Sequence, residues 1–145
     1  MHNAVVWLDT RTKDIVKDLR EEHGEEKLEQ MRQRCGLPLN TYFSAVKMRW
    51  LLENSAAVGA LAKSDPHGDE LCFSTIDTWL IAKLSGLHSV VTDSTNASRT
   101  MLMDLATLEW NQENLDLFGV NKSWLPSIVK NSSDDFGKVD PEECP

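Results

Sequence analysis

Between Val91 and Asn111 the chain reads VTDSTNASRTMLMDLATLEWN, and no single regular element can accommodate that stretch. Asp93 precedes five small residues, Ser94 to Ser98, and an aspartate in that position most often caps the segment by accepting its backbone N–H groups. Arg99 follows, then an apolar run over Thr100–Leu105 that reads as a strand, then a turn into Trp110. A chain built around such a segment must alternate short strands with capped turns and helices. That points to a layered α/β domain, helix-rich with a few short strands.

The flanking sequence agrees. Asn3–Leu8 (NAVVWL) is a short apolar run with β-branched residues, and it reads as a buried strand. Thr12 is placed to cap a helix whose Ile15, Val16 and Leu19 share a face and which Gly24 ends. Glu25–Arg34 reads as a second helix, closed by Gly36 and followed by Pro38. Ser44 is expected to cap a helix with Ala45, Met48, Leu51 and Leu52 inward, and Ser55–Ala62 another. The polar stretch Lys63–Glu70 is a turn and Leu71–Phe73 a brief strand. Thr75–Leu84 carries Ile76, Trp79, Leu80 and Lys83 at helical spacing, with Gly86 after it. Leu87–Val91 reads as a strand, Asn111 caps a helix through Phe118 that Gly119 stops, and the polar tail from Asn131 ends the ordered part.

Composition excludes more than it selects. At 145 residues the chain has the length of one domain. Its net charge of −8, without a run of Lys or Arg, argues against nucleic acid or an anionic membrane as partner. Cys35, Cys72 and Cys144 are odd in number and far apart, so neither a disulfide framework nor a zinc spacing is present. No metal site is expected. No apolar run approaches the ~20 residues that a membrane helix needs, and the first residues lack the pattern of a signal peptide. A cytoplasmic location is the expectation.

Three segments together carry a resemblance: Trp7-Leu8-Asp9-Thr10-Arg11-Thr12, Tyr42-Phe43-Ser44-Ala45-Val46-Lys47, and Thr95-Asn96-Ala97-Ser98-Arg99-Thr100-Met101-Leu102 within Val91–Asn111. The chain resembles the glycerol kinases of the FGGY sugar-kinase family over residues 3–139. The last residues, 140–145, diverge. The resemblance implies a central part of an N-terminal actin-like (ribonuclease-H-like) domain, ATP and Mg²⁺ as cofactors of the full-length family, glycerol as the small-molecule substrate, and a homo-oligomer of the full-length enzyme. By residue chemistry alone, Trp7 reads as a core indole and Tyr42 as a ring packing at a helix start. The resemblance implies instead that both bind glycerol, the indole along its carbon chain and the phenol on a hydroxyl. Asp93 reads first as a cap. Arg99 has the geometry for phosphate, but an internal ion pair is the stronger reading, as it is for Asp9 with Arg11. Gly68-Asp69-Glu70 reads as a surface turn rather than a catalytic Gly-Asp-Gln turn.

Phosphoryl transfer needs a phosphate cradle, carboxylates for Mg²⁺ and a base on the attacking hydroxyl. The residues that supply them in the resembled family have no counterpart in this sequence, so no catalytic residue is assigned. The segment by itself is expected not to phosphorylate glycerol and to be prone to aggregation. Two other readings stand beside this one: a non-catalytic, partner-binding form, and a piece of a kinase for a related polyol or sugar.

Overall fold

Glycine shapes the first third of the chain. In the computed structural model, which describes residues 2–142, helix α1 spans Lys13–Cys35, and Gly24 (φ 71°, ψ 165°) breaks it into the two helices that the sequence predicts. Only glycine adopts those angles cheaply. Gly36 (φ 73°) closes the second half, donating its N–H to the Arg32 carbonyl. Thr12 stands at the N-terminal boundary, but its hydroxyl makes no capping hydrogen bond and is buried without a partner.

Helix α2 covers Ser44–Asn54 and α3 Ala56–Ser64. Phe43, not Ser44, occupies the cap position of α2, one residue earlier than expected. Ser55 caps α3 by accepting the Val58 N–H. The chain then turns at Asp65, whose carboxylate accepts the N–H groups of Asp69, Glu70 and Leu71 at 2.7–2.8 Å. Gly68-Asp69-Glu70 is therefore a structural turn. Helix α4 (Ile76–Leu84) follows, then strand β1 (Val91–Asp93), the single turn α5 (Ser94–Ala97), β2 (Met103–Asp104), β3 (Glu109–Trp110), α6 (Gln112–Phe118), a 3-10 turn at Lys122–Trp124, and β4 (Ser127–Val129). Asn111 caps α6 through the Asn114 N–H and Gly119 ends it at φ 66°.

The strands form two pairs. β1 lies parallel to β4, with Val91 opposite Ser127 and Asp93 opposite Val129. β2 and β3 form an antiparallel hairpin pairing Met103 with Trp110. β4 falls in the region next to Pro126, where the sequence signals no strand. The expected strand at Asn3–Leu8 is irregular instead, with Val6, Trp7 and Leu8 exposed. An apolar run becomes a strand only beside a ladder partner, and among the described residues none lies along it. Leu71–Phe73 is likewise irregular, held by the Leu71 N–H on the Asp65 carboxylate and the Phe73 N–H on the Trp124 carbonyl. The strand expected at Leu87–Val91 starts only at Val91, and that at Thr100–Leu105 shortens to Met103–Asp104.

The core joins Leu19, Leu28 and Met31 of α1, Val46 and Met48 of α2, and Leu115 and Phe118 of α6. Burying each such large side chain contributes about 2 kcal/mol. Asn114, fully buried, links these helices: it accepts from the Arg34 guanidinium and donates to the Met101 carbonyl, both at 3.0 Å. Helix α4 turns its larger apolar side chains outward. Ile76, Trp79, Leu80 and Leu84 are exposed, while Thr78 and Ala82 face inward. No helix of the described residues is long and apolar enough to cross a membrane.

Candidate functional site

Two segments that are distant in sequence meet at Trp7 and Tyr42. Their ring centroids are 5.7 Å apart and the planes are inclined at 53°, within the range favoured by aromatic pairs. Both rings keep an open face, with Trp7 60% and Tyr42 46% exposed. The pair is thus a wall rather than an enclosed pocket.

Local chemistry fixes each side. On the Trp7 side the chain turns, the Asp9 N–H bonding to the Val6 carbonyl. Asp9 then receives the Arg11 backbone N–H and guanidinium at 2.7–2.9 Å, the expected internal pair. The Arg11 hydrogen bonds hold the Asp9 carboxyl below its ordinary range. The Arg11 guanidinium also lies 4.6 Å from the centre of the Trp50 ring, which fastens this segment to α2 through a cation–π contact. On the other side, the Asn40 side chain accepts the Tyr42 N–H at 2.9 Å. Phe43 packs edge-on to Tyr42, centroids 5.1 Å apart. Lys47 of α2, nearly buried, points back into this turn and donates to the carbonyls of Thr41, Tyr42 and Phe43. Burial pulls the Lys47 ammonium below its usual range, and the nearby Asp9 charge opposes that shift.

Arg99 and Asp93 lie elsewhere in the network. The Arg99 guanidinium sits 5.1 Å from the centre of the Phe43 ring, so the ion pair expected for it is replaced by a cation–π contact behind Tyr42. Beside it, the Ala45 N–H of α2 bonds to the Thr100 carbonyl. Asp93 is a cap: its carboxylate accepts the Asn96 N–H, the Asn96 side-chain amide, and the hydroxyls of Thr95 and Ser132. Burial raises the Asp93 carboxyl, but those hydrogen bonds outweigh it and hold the group far below its ordinary value. Its lone pairs are thus engaged within the cap and on Ser132.

Phe43, Lys47 and Trp50 complete the surroundings of the wall, and the sequence reading overlooked all three as site residues. The available signal was spacing: Lys47 stands four residues after the Phe43 cap, within reach of the carbonyls before the helix. A separate open groove of about 530 Å³, lined by Gln30, Gln33, Arg34, Asp104, Leu105 and Ala106, contains neither ring. Its one cation, Arg34, is already bonded to Asn114 and Glu113.

Similar proteins share this arrangement of elements. The chain is 44% identical over 144 residues to the glycerol kinase of Paenarthrobacter aurescens, and 48% identical over 144 residues to that of Methylobacterium radiotolerans. In both cases 96% of this chain is covered but only 27% of the relative, so the chain spans about a quarter of their length. Among solved structures, a glycerol kinase of Plasmodium falciparum with ADP superposes with a TM-score of 0.85 at 36% identity, covering 99% of this chain and 27% of that one. A gluconate kinase of Lactobacillus acidophilus gives 0.79 at 27% identity, covering 99% and 26%. The helix-rich layout with few short strands is that of the actin-like sugar kinases. Residues 1–144 match the N-terminal domain of the FGGY family of carbohydrate kinases, and the chain belongs to that family.

Proposed function

We propose that this chain forms part of a glycerol kinase, an enzyme transferring a phosphoryl group from ATP to a glycerol hydroxyl, and that Trp7 and Tyr42 bind the glycerol. The observation carrying the proposal is the 5.7 Å approach of the two rings. A three-carbon polyol has a C–H surface and hydroxyls. An indole face covers the first, and a phenol hydroxyl can both donate to and accept from the second. The similarity to glycerol kinases supports glycerol among the polyols. On this reading residues 3–139 are the domain proper, residues 140–145 a divergent end, and the cytoplasm the site of action.

On this reading ATP and Mg²⁺ serve the full-length enzyme, and neither is assigned to a residue of this chain. Among the described residues no three His, Cys, Asp or Glu side chains converge as a metal site. The carboxylate of Asp65 is committed to its own turn and that of Asp93 to its cap. What this chain supplies is one side of the substrate pocket, which orients the polyol.

Calorimetric titration of the chain with glycerol tests the proposal. Tyr42→Phe, which keeps the ring and loses the hydroxyl, is expected to weaken binding about five- to tenfold. Trp7→Ala, which removes the plate, is expected to abolish measurable binding. Equal affinity in all three proteins would refute the assignment. Tighter binding of gluconate than of glycerol would favour a related sugar kinase.

A further inference from the structure

The turn that presents Tyr42 closes around a charge. Lys47 lies in α2 just past its N-terminus and is only 7% exposed. A cation there faces the positive end of the helix dipole, and burying it is costly unless hydrogen bonds satisfy it. Its Nζ donates to three consecutive carbonyls, at 2.7 Å to Thr41, 2.6 Å to Tyr42 and 3.4 Å to Phe43. An ammonium has three N–H donors, so donors and acceptors match in number. Three successive carbonyl oxygens aimed at one point repel each other, and a turn of that shape needs a positive donor at its centre. The charge of Asp9, two residues from Trp7, also acts on this ammonium. By these bonds Lys47 ties α2 to the turn that presents Tyr42.

We infer that Lys47 is a positioning residue for the wall: its ammonium sets the turn over Thr41–Phe43 and thereby holds the Tyr42 ring against Trp7. For its effect on ligand affinity the inference rests on the glycerol reading above; for the placement of the ring it does not. A lysine that merely added stability would lower the melting temperature when replaced and leave Tyr42 where it is.

Tyr42 is the chain's sole tyrosine, so labelling with 3-fluorotyrosine gives one ¹⁹F resonance reporting on this ring. In Lys47→Met, which keeps the apolar stem without the donors, that resonance is expected to move toward the free amino acid and to lose its magnetisation transfer from the Trp7 ring. The glycerol dissociation constant should rise about tenfold or more. An unmoved resonance in folded Lys47→Met overturns the inference, whatever happens to glycerol. A moved resonance, in a chain whose unmutated form binds no glycerol, upholds the positioning role and overturns the glycerol reading instead. If Lys47→Met does not fold, ¹⁵N-lysine spectra of the unmutated chain decide. One ammonium whose protons resist exchange and contact the Thr41–Phe43 turn supports the inference, and all ammonium groups exchanging at the solvent rate refute it.

Discussion

At the scale of single residues, the buried polar groups divide into those that hold the backbone and those that hold the rings. Asp93, 5% exposed, caps α5 and also reaches Ser132, far along the chain. Asp65 grips three successive N–H groups, and the Leu71 N–H does most to hold its carboxyl low, with burial opposing. Both carboxyls are lower in the folded chain than in the unfolded one, so folding favours their ionised forms. Their contribution is complete above the ordinary aspartate value of about 3.9 and is lost as the pH falls below it. The melting temperature is accordingly expected to fall steeply below about pH 4, and Asp93→Asn should flatten that slope in a calorimetric pH series. At neutral pH, Asp93→Ala should cost more than the ~1 kcal/mol of an exposed helix cap, because Thr95 and Ser132 lose their acceptor as well.

At the scale of elements, two glycines with positive φ make different demands. Gly24 (φ 71°) has open space where a Cβ would stand, whereas at Gly68 (φ 78°) a Cβ would lie 2.0 Å from the Ser123 carbonyl oxygen. Gly24→Ala should cost about 1–3 kcal/mol, for the backbone angles alone. Gly68→Ala should cost above ~3 kcal/mol, since the 3-10 turn must also move away from the Asp65 turn. Urea unfolding of the two variants checks the contrast, and equal losses would contradict it. The glycines, with the cap Asn111, were legible in the sequence because their roles are local. The same holds for the Asp93 cap and the Asp9–Arg11 pair. Strand β4 and the irregular course of Asn3–Leu8 were not legible, because pairing depends on a neighbour that no window of sequence contains. Trp7 and Tyr42 could be named from their motifs, but their approach through Arg11, Trp50 and Lys47 is a tertiary fact.

At the scale of the whole molecule, one side is distinctly apolar. Ile76, Trp79, Leu80 and Leu84 of α4, with Leu87 just after it, are 40–66% exposed. Helical periodicity gave the right element there, but spacing alone does not say which side of a helix meets the core. An apolar strip of that kind favours self-association. Light scattering at rising concentration should show oligomers of the chain, and the double substitution Ile76→Lys with Leu87→Lys should reduce them while leaving the melting temperature nearly unchanged. A concentration-independent monomer before substitution would contradict this.

The parallel pairing of β1 with β4 has a consequence in time. Asp93 and Val129 are partners in that ladder, so a ribosome must add every residue between them before the first strand can find its mate. Until then the earlier helices can already pack on one another, while β1 waits, its ladder amides exposed to chaperones. Among the described residues, the β1–β4 ladder should therefore be the last pairing to form.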